Sequence, residues 1–188
     1  MANGKNIVLL CEDNPQEQFV AECLSCFGAQ NLKRRLHRIN ARREVHGGNV
    51  GFVERRAITE VDAWRKRNHK TKTLLVVVAD ADARFSRKER RERLPSDNES
   101  ELYVVVVPKR NIETWIKLGV EFDTVANNLS DQTDFKCPDY SNPPSPKHAA
   151  DVLCTILSQE GTHFPATGVL TDCLSDLRKL RAGVRALE

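Results

Sequence analysis

Three short stretches of the chain are almost uninterrupted in apolar residues: Ile7–Cys11, Thr73–Ala79 and Leu102–Val107. None alternates apolar with polar positions. Continuous runs of this length mark strands covered on both faces, as in a parallel sheet sandwiched by helices. The intervening segments carry helical periodicity. From Pro15 to Phe27, the residues Phe19, Val20, Cys23, Leu24 and Phe27 share one face, and Pro15 suits a first helical turn. Lys33–Ile39 reads as a weaker, Arg-rich strand, followed by a flexible loop at Gly47-Gly48-Asn49. Val53, Ala57, Val61 and Trp64, spaced four, four and three, predict a helix from Val50 to Arg67. Arg84 to Leu94 is a highly charged helix or loop that Pro95 ends, and Asn111 caps a short helix, Ile112 to Leu118, stopped by Gly119.

The texture changes beyond Gly119. Residues 129–147 are polar and hold Pro138, Pro143, Pro144 and Pro146, which predicts an irregular loop. Ser145-Pro146 then opens a helix to about Gln159. A last helix runs from about Ala166 to Ala186 on a stripe of Leu170, Cys173 or Leu174, Leu177 and Leu180. The β-α-β alternation of the first 120 residues predicts an α/β fold, a mainly parallel sheet flanked by helices with right-handed crossovers. Residues 1–120 form that domain in this reading, and 121–188 a loop and helical extension packed on it.

Composition changes this picture little. The chain has 188 residues, 40% hydrophobic and 29% charged, enough for one domain with a real core. No apolar run approaches a membrane span and no basic-then-apolar leader opens the chain, so the expected setting is cytoplasmic, with no membrane partner. Six cysteines, at 11, 23, 26, 137, 154 and 173, are scattered as reduced thiols would be. Charge is more telling. Residues 1–120 hold 23 Lys and Arg against 16 Asp and Glu, whereas the remainder holds 6 against 10. A basic front half suits a polyanionic partner such as nucleic acid, although solvated surface charge accounts for it nearly as well.

In an open α/β sheet, functional groups gather at the carboxyl ends of the strands. The first strand ends in Glu12-Asp13, the third in Asp80-Ala81-Asp82, and the fourth in Pro108-Lys109-Arg110-Asn111, with Glu113 one turn into the next helix. Two carboxylates one residue apart where a buried strand meets water suit a divalent cation. Oxygen ligands of this kind favour Mg²⁺, held by one or two carboxylates plus waters and substrate phosphates. Lys109 and Arg110 are placed to meet phosphate charge, and Glu12 to hold metal or shuttle a proton. Each also has a structural use: Asp80 and Asp82 as turn residues, Glu12 and Glu113 as first-turn acids, Asp13 as a helix cap.

A strand ending in Glu followed by a strand ending in Asp-x-Asp resembles the Toprim domain of topoisomerases, bacterial primases and OLD-type nucleases. The segments LLVVVADAD (Leu74–Asp82) and YVVVVPKRNIETW (Tyr103–Trp115) are similar to the small Toprim-like proteins of bacterial defence loci. The resemblance covers about residues 5–119. It implies a Rossmann-like Toprim fold, Mg²⁺ or Mn²⁺, and phosphodiester hydrolysis or transfer on nucleic acid, DNA ahead of RNA. It makes Glu12 the acid or base and Asp80 and Asp82 metal ligands, with Glu113 an additional one. It also implies antiviral defence with an ATPase partner, since the chain has no ATPase motif. The chain departs from the family in having Asp13, not Gly, after Glu12, and Ala83 after Asp82.

Two other classes remain open. Asn6–Leu24 resembles the first strand and helix of a response-regulator receiver, with Asp80 as phosphoacceptor, although no Ser or Thr ends the fourth strand. A non-catalytic subunit that binds nucleic acid or protein is the third. Arg84, Arg87 and Lys88 follow the acidic pair directly; a solvated helix face is their default, and contact with a nucleic-acid backbone the functional reading. Cys23-Leu24-Ser25-Cys26 has zinc-like spacing but lies inside the first helix with no second pair near it in sequence.

Overall fold

The computed structural model describes residues 6–29, 36–44, 50–68, 70–81, 85–98, 100–121, 145–159 and 168–188. Four strands, β1 (Asn6–Cys11), β2 (Leu36–Asn40), β3 (Thr73–Val78) and β4 (Tyr103–Val106), form one sheet in the order β2-β1-β3-β4, with every pairing parallel. Leu10 lies opposite both Ile39 and Val77, and Val78 opposite Val106, so the strands finish along a common edge. The three apolar runs are the three inner or flanking strands expected of them, and the Arg-rich segment supplies β2.

The helices are α1 (Asn14–Cys26), α2 (Ala41–Glu44), α3 (Val50–Asn68), α4 (Arg87–Glu92), α5 (Ile112–Val120), α6 (Pro146–Ser158) and α7 (Gly168–Leu187). Strand alternation divides the core in two. Ile7, Leu9, Cys11, Leu74, Val76, Val78, Val104 and Val106 pack against α1, α5, α6 and α7. Val8, Leu10, Leu75, Val77 and Val105 face Val53, Ala57, Val61 and Trp64 of α3. The continuous apolar strands are thus apolar because both faces are covered. Trp64 places its indole N–H 2.7 Å from the Thr73 carbonyl, which satisfies the one polar group it buries.

α7 approaches the sheet closely. A Cβ on Gly183 would lie 2.7 Å from Leu74 Cδ1 and 2.9 Å from the Glu101 carbonyl oxygen. At Gly119 it would lie 2.6 Å from the Ala149 carbonyl oxygen, so α5 and α6 also meet through a glycine. The C-terminal helices therefore share the core of the sheet domain.

The outer edge of β4 is closed by side chains. Val107 N–H donates to Asp176 Oδ2 at 2.9 Å and Val105 N–H to Asp97 Oδ2 at 3.4 Å. In return, Arg87 Nε donates to the Val107 carbonyl at 2.8 Å and Arg91 Nη2 to the Val105 carbonyl at 3.0 Å. Asp176 is wholly buried and accepts from both arginines at 2.5 Å. Burial pushes its carboxyl up, and Arg91 and Arg87 oppose the shift. An edge strand ordinarily exposes a row of unpaired backbone groups; here α4, α7 and the 94–98 turn supply a partner for each of these four.

Arg84–Leu94 resolves into α4 for its central part, opened by a Ser86–Glu89 capping box. It is not a uniformly solvated face. Arg90 is buried and bonded to Glu54 of α3. No helix among the described residues is long and apolar enough to cross a membrane. The Pro-rich loop expected before Ser145 and the expected start of the last helix at Ala166 lie outside the described residues.

Candidate functional site: an acidic crevice at the switch point

The chain runs from β1 outward to β2 and then returns past β1 to β3, so neighbouring crossovers diverge between β1 and β3. Such a switch point leaves a crevice beyond the carboxyl ends, where ligands bind in open α/β sheets. Glu12-Asp13 leaves β1 on one side of it, and Ala79-Asp80 leaves β3 on the other.

Asp80 is fixed by its neighbours' backbone. Ala79 N–H bonds to the Val106 carbonyl at 3.1 Å and Ala81 N–H to the Pro108 carbonyl at 3.0 Å, extending the ladder past the end of β3. Ala79 and Ala81 are buried against the α3 side. By strand alternation Asp80 faces the opposite layer, between the first turns of α1 and α5. The residue as a whole is half-buried, but its Oδ1 is shut off from solvent with no hydrogen-bond partner. Burial drives its carboxyl well above the usual range, and Glu12, Asp13 and Glu113 add to the shift. The Gln16 amide lies close enough to work against the shift, without reaching hydrogen-bonding geometry.

The first turn of α1 is tightly organised. Asp13 is the N-cap, accepting Gln16 N–H at 3.0 Å on Oδ1. Gln16, fully buried, turns its own Oε1 back to Glu12 N–H at 2.8 Å, which leaves Nε2 buried and without a hydrogen-bond partner. Burial raises the Asp13 carboxyl despite that cap and the nearby Arg42. The β2 end joins this side. Asn40 Nδ2 donates to Glu17 Oε2 at 2.9 Å and Asn14 Oδ1 at 3.1 Å, and Arg38 and Arg43 both pair with Glu17 at 3.2 Å.

On the β4 side, Arg110 has φ 68°, the left-handed region, and the bond from Asn111 N–H to the Lys109 carbonyl at 3.0 Å closes a γ-turn across it. A left-handed conformation costs a non-glycine residue about 1–2 kcal/mol. Asn111 then caps α5, its Oδ1 accepting Thr114 N–H at 3.1 Å and Thr114 Oγ1 at 2.9 Å. That cap starts the helix whose first turn carries Glu113.

The structure thus brings Glu12, Asp80 and Glu113 to one edge, with Asp13 serving as a cap. Lys109 and Arg110 occupy the turn that follows β4. Asp82 and Arg84 lie outside the described residues. Arg87 is engaged at the β4 edge, also donating to Asp172 Oδ1 at 3.0 Å, whereas Lys88 is exposed. Among the described residues, no three His, Cys, Asp or Glu side chains gather closely enough to hold a metal ion. A groove of about 760 Å³ runs between α4, residues 94–98 and α7, away from the acidic crevice. Gln16 and the Asn40–Glu17–Arg43 cluster were not singled out from sequence. The Asp13-x-x-Gln16 spacing of a capping box is the signal that points to Gln16.

Fold and site define a four-stranded, all-parallel α/β protein, consistent with a Rossmann-like fold, with an acidic crevice at its switch point. No protein-family profile, curated protein or solved structure matches the chain.

Proposed function

We propose that this chain is a Toprim-like nuclease or nucleic-acid phosphodiester-transfer subunit that works with Mg²⁺ or Mn²⁺. The observation that carries the proposal is Asp80: a carboxylate with a buried, unpaired oxygen, crowded by Glu12, Asp13 and Glu113 at the mouth of the switch-point crevice. Uncompensated negative charge is costly in such a place unless a cation neutralises it.

The donor chemistry at this edge suits a hard cation. Asp80, Glu113 and Glu12 offer carboxylate oxygens, the ligand type Mg²⁺ prefers, and Asp82 would add another. A divalent ion held there would supply Lewis-acid polarisation of a phosphoryl oxygen. The protein's own groups do the rest. Glu12 takes or gives a proton at the attacking or leaving oxygen. Lys109 and Arg110 neutralise charge that develops on the phosphate, with the strained γ-turn holding Arg110 at the edge. Lys88 remains available for a phosphate contact, and Arg84 joins it in this reading, while the bonds of Arg87 tie it to β4. DNA is the preferred substrate, and the defence-locus resemblance adds an ATPase partner.

The test is nicking of supercoiled plasmid by purified protein in Mg²⁺ and in Mn²⁺. The expected result is nicking that Asp80→Ala abolishes. Acyl-phosphate formation at Asp80 without nicking would move the chain to the receiver class. DNA binding without turnover, unchanged by Asp80→Ala, would make it a binding module.

A further inference from the structure

Three arginines, Arg38, Arg42 and Arg43, gather where β2 runs into α2. Two of them are already engaged. Arg38 Nε and Arg43 Nη2 each lie 3.2 Å from the carboxylate of Glu17, a buried residue of α1, and Arg43 also reaches Asn14 Oδ1 at 3.3 Å. Arg42 is exposed, and its guanidinium makes no hydrogen bond or ion pair among the described residues. Its backbone, by contrast, is tightly held. Arg42 N–H is shared between the Glu12 carbonyl and Asn40 Oδ1, both at 3.1 Å. Asn40 is buried, and its Nδ2 donates to Glu17 Oε2 and Asn14 Oδ1. Ala41, between them, is fully buried on the α3 side. A well-satisfied buried polar network makes its surroundings rigid; here the residue it fixes beside Glu12 is an arginine with an unused head group.

Arg42 therefore continues the carboxyl edge on the β2 side of the crevice. The turn after β4 carries Lys109 and Arg110 on the far side, so basic residues flank Glu12 and Asp80 in both directions along the sheet. Burial raises the Asp13 carboxyl, and after the Gln16 N–H bond it is the Arg42 charge that opposes the shift, which puts that charge within reach of the crevice mouth. From β2 to β4 there are three strand spacings, roughly 14 Å in all. Stacked nucleotides rise about 3.4 Å per step along one strand, so about four of them cover that span.

We propose that Arg42 is a phosphate-binding residue, holding a nucleic-acid strand on the β2 side of the crevice while Lys109 and Arg110 hold it on the β4 side. The proposal rests on the phosphodiester reading above and adds a direction to it: the strand crosses the carboxyl edge between β2 and β4, with its scissile phosphate over Glu12 and Asp80. Arginine suits the task, because its guanidinium offers phosphate oxygens a planar, permanently charged fork. Arg43 cannot take its place, since its own head group closes on Glu17 and Asn14.

The test is binding of a fluorescein-labelled oligothymidylate of about 12 nucleotides, read by anisotropy over a series of NaCl concentrations, in EDTA and again in Ca²⁺. Each phosphate contact on a single strand contributes about 0.7 to the slope of log K against log salt. Arg42→Gln should lower the slope by about 0.7 and weaken binding about fivefold at about 0.1 M salt. Arg42→Lys, which keeps the charge, should restore the slope. α3 runs back to the start of β3, so Lys66 in its last turn lies at the opposite edge of the sheet. Lys66→Gln removes one exposed charge there and should change neither quantity. An Arg42→Gln slope equal to that of wild type, or an equal loss in Lys66→Gln, overturns the proposal and leaves the nuclease reading standing. Wild-type protein that binds the oligonucleotide neither in EDTA nor in Ca²⁺ overturns both.

Discussion

Replacing Asp80 by Asn should make the protein more stable and inactive at once. Asn keeps the shape of the side chain, removes its charge, and gives the neighbouring carboxylates of Glu12, Asp13 and Glu113 an amide donor. Leaving a buried polar group unsatisfied costs about 1–3 kcal/mol, and more when it is charged; Asn keeps the oxygen but removes the charge and its repulsion from the three neighbouring carboxylates. Asp80→Asn should therefore stabilise the metal-free protein by about 1–3 kcal/mol, a rise in Tm of roughly 2–12 °C for a chain of this size. The pH dependence follows from the raised carboxyl. Between the ordinary Asp value and that raised value, the folded protein holds a proton that the unfolded chain releases. Stability is therefore greatest below the ordinary value and falls as pH rises through the folded one. Asp13 and Asp176 are shifted in the same direction, so the difference between variant and wild type isolates Asp80. The assay is urea denaturation in EDTA from pH 3.5 to 8, repeated at pH 7.5 in Mg²⁺. Wild type should gain stability with Mg²⁺, about 2.7 kcal/mol at a hundredfold excess over Kd, and Asp80→Asn should gain little. A destabilised Asp80→Asn in EDTA, or a wild type indifferent to both Mg²⁺ and Mn²⁺, would refute the reasoning.

Other outcomes follow from the packing. Gly183→Ala drives a methyl into Leu74 and the Glu101 carbonyl and should cost about 1–3 kcal/mol, read by thermal denaturation. At the strained turn, Arg110→Gly and Arg110→Ala both lose the side chain but differ in backbone freedom; the Gly variant should be more stable by about 1 kcal/mol, with both impaired in nicking. Asp176→Ala leaves Arg87, Arg91 and the Val107 N–H without their shared acceptor. It should cost about 3–5 kcal/mol and raise the aggregation rate measured by light scattering.

Much of the framework is legible along the chain because its causes are local. β1, β3 and β4 announce themselves as apolar runs, and α3 by the spacing of Val53, Ala57, Val61 and Trp64. Pro15 and Asp13 mark the start of α1 from within four residues of sequence. The acidic edge is legible one step further, since a parallel sheet aligns strand ends without any contact having to be known. What escapes is pairing at a distance. Arg87 and Arg91 look like a basic surface until Asp172 and Asp176, 85 positions onward, take their guanidinium groups. Cys26 and Asp151 are more remote still, 125 positions apart. Gln16 is harder still: its importance rests on the unpaired amide nitrogen, which depends on packing rather than on residue type.

The closure of β4 also fixes the direction in which this sheet can grow. A strand arriving beside Val105 and Val107 finds their N–H and C=O groups already bonded to two arginines and two aspartates. The five-stranded order 2-1-3-4-5, which a receiver-like phosphoacceptor would complete at this flank, therefore has no seat for its last member. A partner chain that docks by adding a strand is excluded from the β4 flank in the same way.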